Sequence, residues 1–315
     1  MRTSDDLVRP AADPLLRVTA RANDDGPQVA VLGRSAPARS HRARASRGLR
    51  LLAGFGALRR DQLEALLLGD LDLTAQSRRV ATYRVIAELR ERALVQDRGG
   101  VVAASRSTAY TLTLAGHRLY AASDPGYPRR RRSRTLSLML LDHALALADI
   151  ALAFSTASRQ AGDTSLLWES DWEALARIGS AIVVPDALVS LERTGWRTRA
   201  FIEADRATEW QSAFASKVRR YIDLYRRDEW RRSMAAWPLV LTVTTSDAHA
   251  RSLARLANRI TADDGAARIT RSFRFTSLEA IRVGGALAPI WYVDGSAEGT
   301  AILDASAADS HGDVA

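Results

Sequence analysis

The chain has 315 residues, a net charge of +9, 47% apolar and 6% aromatic side chains, and no cysteine. Its length accommodates two ordinary domains, and its positive charge favours an anionic partner, nucleic acid first. The lack of cysteine excludes disulfides, thiolate nucleophiles and cysteine-ligated zinc.

The five histidines, His41, His117, His143, His249 and His311, show no metal-ligand spacing among themselves. Arg2, Asp5, Asp6 and Arg9 have no apolar run behind them, so no signal peptide is expected. The longest apolar run, Leu136 to Phe154, contains Asp142, His143 and Asp149. A membrane span rarely carries three such groups, which predicts a buried core helix, no membrane partner and a cytoplasmic protein. Of the 45 basic side chains only Lys217 is a lysine.

Residues 1–46 mix Pro, Asp, Arg, Ala and Gly without periodicity and read as a disordered basic arm. From 47 to 122 the pattern predicts three helices, a hairpin and a short closing helix, the layout of a winged helix-turn-helix. Leu49, Leu51, Leu52 and Phe55 mark the first helix; Leu63, Leu66 and Leu67 mark the second, which Gly69 ends. Thr74 caps a third with the apolar stripe Val80, Tyr83, Ile86 and Leu89. Leu94-Val95 opens a strand, Gly99-Gly100 and Ser105-Arg106-Ser107 supply the turn, and Tyr110, Leu112 and Leu114 alternate as the returning strand.

The third helix is the element expected in the DNA major groove. With Tyr83 set inward, Ser77, Arg78 and Ala81 point outward, flanked by Thr82 and Arg84. Arg78 then reaches a guanine edge or a phosphate, and Arg98 and Arg106 of the wing grip the flanking backbone. Arg79 and Arg90 fall near the inward stripe and cover the core rim. The alternative is a winged helix used for protein contacts.

Residues 123–135 cannot continue a helix through Pro125-Gly126 and Pro128, and they carry Arg129, Arg130, Arg131, Arg132 and Arg134. This linker is either a solvated spacer or a strap on DNA phosphates. From Leu136 to Asp294 helices and strands alternate, which predicts an α/β domain with a mixed central sheet. A helix runs to about Ala161, and strands follow at Leu166–Trp168, Ala187–Leu191 and Thr198–Asp205. Next come a helix from about Glu209 to Arg231, a strand at Leu239–Val243, a helix from about Asp247 to Ile260, and late edge strands at Ile269–Thr276 and Ile290–Val293. Residues 295–315 read as a flexible tail. The predicted fold class is thus α+β, a winged helix-turn-helix followed by this α/β domain.

Three features of the second half combine. Pro185-Asp186 places a carboxylate at a break between apolar segments. Glu203 and Asp205, two apart in a strand, share a face with Phe201. Lys217 falls within the inward stripe Trp210, Phe214, Val218, Tyr221 and Tyr225 of the following helix, where an ammonium needs a carboxylate. Asp186, Glu203, Asp205 and Lys217 together suit metal-dependent phosphodiester hydrolysis. Asp186 and Glu203 hold Mg²⁺, the metal activates a water, and the ammonium offsets developing charge. A structural buried ion pair is the alternative.

From Arg47 to Ile260 the chain resembles the replication-relaxation family of bacterial plasmids and integrative elements. The resemblance rests on Ala109-Tyr110-Thr111-Leu112-Thr113, His143-Ala144-Leu145-Ala146, Pro185-Asp186-Ala187, Ile202-Glu203-Ala204-Asp205 and Lys217-Val218-Arg219-Arg220-Tyr221, in that order. It implies a second domain of the restriction-endonuclease-like, PD-(D/E)XK pattern, with Asp186 as its first acid and Glu203 as its second. The chain departs from that pattern at Asp205, where the pattern has lysine, so Lys217 on the next helix would have to substitute. The implied function is DNA binding in plasmid or mobile-element replication or mobilisation, with double-stranded DNA and other replication or transfer proteins as partners. The competing reading is a non-enzymatic regulator whose C-terminal domain makes protein contacts.

Overall fold

The computed structural model describes residues 40–98, 108–128, 136–193, 196–206, 211–294, 296 and 298–302. Arg106 of the expected wing, the arginines at 129–132 and Trp210 lie outside the described residues.

Helix α1 (His41–Phe55) starts where the Ser40 hydroxyl accepts from the Ala43 N–H, six residues upstream of the expected boundary. A three-residue strand, β1 (Ala57–Arg59), then leads into α2 (Arg60–Leu68). Helix α3 (Ala75–Glu91) is capped by Thr74 as expected, its hydroxyl accepting from the Ser77 N–H at 3.1 Å. Strands β2 (Val95–Arg98) and β3 (Ala109–Leu112) are antiparallel, and β1 joins the far side of β3. Leu114 is not in the returning strand. Thr113 caps α4 (Leu114–Ser123) by accepting from the Gly116 N–H, so the chain turns helical there and leaves Leu114 exposed.

The phase of α3 also differs from expectation. Its inward stripe is Ala81, Thr82, Val85, Ile86 and Leu89, while Val80 and Tyr83 are exposed, Tyr83 by half. Helix α1 comes close to this stripe: a Cβ on Gly48 would stand 3.1 Å from a Val85 methyl and 3.7 Å from a Leu89 methyl. The Thr82 hydroxyl is satisfied by the Arg78 carbonyl at 2.9 Å, so it can be buried.

The second half begins with α5 (Leu138–Ala161), followed by β4 (Ser165–Ser170) and α6 (Asp171–Ile178). Helix α6 was not expected, and its Ser170–Glu173 capping box explains its start. Then come β5 (Ala187–Arg193), β6 (Trp196–Ala204), α7 (Gln211–Arg226), β7 (Leu239–Thr244), α8 (Asp247–Asp263), β8 (Phe273–Ser277) and α9 (Leu278–Gly284). The sheet order is β4-β5-β6-β7-β8; β4, β5 and β6 form an antiparallel meander, and β7 and β8 run parallel to β6. This is the mixed sheet expected. Of the late edge strands, Ile290–Val293 contributes only the bridges Phe275–Tyr292 and Trp291–Thr300, and the chain stays packed to the buried Ile302.

Both sheet faces are covered, as the near-continuous apolar strands require. Val189, Ile202, Leu241 and Val243 join an apolar cluster with Leu147 and Phe154 of α5, and that cluster continues to Leu49, Leu63 and Val85. Leu188, Phe201, Val240 and Phe275 pack on the other face with Phe214 and Val218 of α7 and Leu253 of α8.

Among the described helices, α5 alone is long and apolar enough to cross a membrane. Its polar groups are nevertheless bound to protein. Asp142 pairs with Arg206, and Asp149 accepts from Arg59, Gln62 and Arg282.

Candidate functional site

The N–H of Asp186 donates to the Ile202 carbonyl, which extends the β5–β6 ladder by one residue beyond Ala187–Ile202. Asp186 therefore stands at the head of β5, beside the last residues of β6. Its Oδ2 accepts from the Ala204 N–H at 2.8 Å and its Oδ1 faces Nε2 of His143, on α5, at 3.1 Å. Glu203 points to the α7 face, as does Phe201 two residues earlier. One oxygen accepts from Lys217 Nζ at 3.0 Å and the other from the Tyr221 hydroxyl at 2.5 Å. Lys217 and Tyr221 are one helical turn apart, so α7 offers both donors to a single carboxylate.

The electrostatics follow from burial. Desolvation pushes Glu203 up to about 7 against the attraction of Lys217, with the Asp186 charge adding to the rise. Burial also opposes charge on Asp186. There, however, the hydrogen bond and charge of His143, then Lys217 and the Ala204 N–H, outweigh it and hold the carboxyl below its ordinary range. Burial lowers His143, but Asp186 and Glu203 together hold it above its ordinary value. Sequence reasoning brought Glu203 and Lys217 together correctly and missed His143 and Tyr221 as members of the cluster. His143 had left a trace as one of three polar groups in the apolar run of α5.

Asp205 points elsewhere. β6 ends at Ala204, and Asp205 accepts from the Thr244 hydroxyl at 3.1 Å and faces Nε2 of His249 at 2.9 Å. It is tied to the end of β7 and the head of α8.

A cavity of about 300 Å³ opens between the three-stranded sheet and α5. Gln96, Arg98, Thr111, His143 and Asp186 line it, while Glu203 and Lys217 do not. The first acid is thus reached from the groove between the two halves of the chain, and the second lies behind it.

The donor set does not suit a divalent ion as it stands. Mg²⁺ takes hard oxygen ligands, and two carboxylates are present. All four of their oxygens already accept from protein donors. Among the described residues no three His, Cys, Asp or Glu side chains gather as a metal set. As arranged, the acids fit an imidazole and an ammonium rather than a metal ion.

On α3, Ser77 and Arg84 are exposed as expected. Thr82 is wholly buried, so it cannot meet DNA. Arg78 is half-buried and its Nη1 donates to the Leu73 carbonyl at 2.7 Å, which turns it back along the start of its own helix. The exposed face instead comprises Gln76, Arg79, Val80, Tyr83, Arg84 and Ala87. Arg79 and Arg90 face solvent rather than covering the core rim. Tyr83 carries the Arg60 guanidinium 5.6 Å above its ring.

Fold and site together define an α+β protein in which a partly buried acid at the head of β5, Asp186, and a buried acid at the end of β6, Glu203, are each held by a side chain from a flanking helix, His143 and Lys217. The replication-relaxation family model matches residues 49–240, and the chain belongs to that family. Membership points to a role in the replication of plasmids or mobile elements. Neither the curated proteins nor the solved structures searched gave a match.

Proposed function

We propose that this chain is a cytoplasmic double-stranded DNA-binding protein of plasmid or mobile-element replication or mobilisation. In this reading the first half is a winged helix-turn-helix and the second a restriction-endonuclease-like domain. Other replication or transfer proteins are its further partners.

The observation that carries the proposal is the exposed face of α3. Arg79 and Arg84 flank Tyr83 on a helix that follows α2 through a short turn, braced by a three-stranded sheet. Such a face supplies guanidinium groups to phosphates and base edges and an aromatic ring beside them. The net charge of +9 adds attraction at long range. Fluorescence anisotropy with a duplex at increasing salt tests it. Binding that weakens steeply, with a slope reporting several phosphate contacts, is expected. No binding at low salt refutes it.

A second reading, metal-dependent nicking, is favoured by one observation, the contact of Lys217 with Glu203 behind Asp186 at a sheet end. The succession α5, β4, α6, β5, β6, α7, β7 has an acid at the head of the second strand and another at the end of the third, which suits the PD-(D/E)XK pattern apart from the inserted α6. The closed hydrogen bonding of both acids opposes this reading. A plasmid-nicking assay with Mg²⁺ or Mn²⁺ separates the two. Loss of cutting in both Asp186→Ala and Lys217→Ala would establish an enzyme, and residual cutting equal to wild type in both would remove the claim.

A further inference from the structure

The opposite end of the five-stranded sheet carries a concavity of contrary charge. Glu203 lies at the end of β6, and Arg197 and Arg199 lie near its start on the same alternating face. There, beside the first residues of β4 and the last of β5, a cleft of about 430 Å³ is lined by Arg177, Arg197, Arg199, Arg231, Arg232 and Ser190, among others.

Three of these guanidinium groups are neutralised by neighbours. Arg177 closes on Glu169 through Nε at 2.8 Å and Nη2 at 2.7 Å. Arg197 pairs with Glu192 at 2.7 Å, and Arg231 with Asp228 at 2.8 Å. Arg199 and Arg232 have no carboxylate partner among the described residues. Arg199 is half-buried. Its Nη1 donates to the Ser233 carbonyl at 2.6 Å, and its Nε is buried without a hydrogen-bond partner. Burial, then repulsion from Arg177 and Arg197, lowers its pKa. The one acid in the lining, Glu192, is held by Arg197, so the cleft keeps the guanidinium groups of Arg199 and Arg232 in excess, an arrangement suited to an anion that accepts several hydrogen bonds. Guanidinium forks match phosphoryl oxygens best. The volume lies in the range of small-ligand sites and is far too small for a duplex.

We propose that this cleft binds phosphoryl groups of about diphosphate size, distinct from the duplex contacts of α3. The phosphates come either from a small phosphorylated molecule or from the 5′ end of a single strand. The full-length protein is titrated by calorimetry with pyrophosphate, with a 5′-phosphorylated oligonucleotide and with the same strand lacking its phosphate. Pyrophosphate binding, weakened about tenfold or more in Arg232→Gln and in Arg199→Gln, is expected, with Arg255→Gln on α8 unchanged. Preference for the phosphorylated strand over both other probes assigns the source to a strand end. Arg232 is exposed, so its variant keeps the test valid if Arg199→Gln fails to fold. Failure of wild type to bind either phosphorylated probe at millimolar concentration, or equal affinity in all three variants, overturns the proposal. None of these probes is a duplex, so the outcome is independent of the function proposed for α3.

Discussion

Lys217 Nζ and the Tyr221 hydroxyl divide one carboxylate between them, each donating to a different oxygen of the buried Glu203. The folded protein holds a proton on Glu203 up to about pH 7, whereas an ordinary glutamate releases it near 4.5. The folded state therefore binds more protons across that window, and stability falls as pH rises through it. His143 acts in the same direction. Its folded pKa is raised, so its contribution is complete below its ordinary 6.5 and is lost as pH climbs past the raised value. Asp186, held low, acts only in acid, where its contribution disappears as pH falls below its ordinary 3.8. Urea unfolding at about pH 5 and about pH 8 should give a lower midpoint at the higher pH, and Glu203→Gln should shrink the difference. An unchanged pH slope in that variant would contradict the assignment. Lys217→Met should cost about 1–3 kcal/mol at neutral pH, because it strips a buried carboxylate of its cation.

Asp149 ties the two halves of the chain. Its carboxylate receives Arg59 at 2.8 Å, Gln62 at 2.6 Å and Arg282 at 2.5 Å, and the fully buried Gln62 also donates to the Leu145 carbonyl. Asp149→Ala removes the shared acceptor of two guanidinium groups and an amide, leaving Gln62 only the Leu145 carbonyl and Arg59 only the longer contact to Asp61 at 3.4 Å. A loss of about 3 kcal/mol is expected, read by urea unfolding. A loss below about 0.5 kcal/mol, the size of an ordinary surface change, would show that this network does not join the halves.

Gly116 sits in the first turn of α4, where a Cβ would stand 2.2 Å from the Leu94 carbonyl oxygen. Gly116→Ala gains about 1 kcal/mol of helix propensity and still should destabilise, because the obstruction is backbone held by the Thr113 N–H. A lower melting temperature is expected; a higher one would mean that α4 can withdraw from β2.

The legible parts of the fold were those with local signals. Thr74 announced the start of α3, and period two together with the α7 stripe joined Glu203 to Lys217. The α3 phase was misjudged because two stripes compete there. Bulk favoured Val80 and Tyr83, but α1 packs closely on Val85 and Leu89 at Gly48, and the helix phase that meets it turns Ala81 and Thr82 inward. Alternation paired Asp205 with Glu203 only while the strand lasted, and β6 stops one residue short of it. His143 and Asp186 meet through the packing of α5 on the sheet end, a non-local contact that no spacing encodes. β1 has three residues and gains its identity from β3. By contrast α6 was within reach, since Ser170 and Glu173 form a readable capping box.

The central claim is that the exposed face of α3 holds duplex DNA. It is tested most directly by duplex affinity across a salt series for wild type, Arg79→Ala, Arg84→Ala and Arg78→Ala. Arg79→Ala and Arg84→Ala should each weaken binding and lower the salt slope by about one. Arg78→Ala, whose guanidinium is spent on the Leu73 carbonyl, should alter stability more than affinity. Affinity and slope unchanged in both Arg79→Ala and Arg84→Ala would contradict the account.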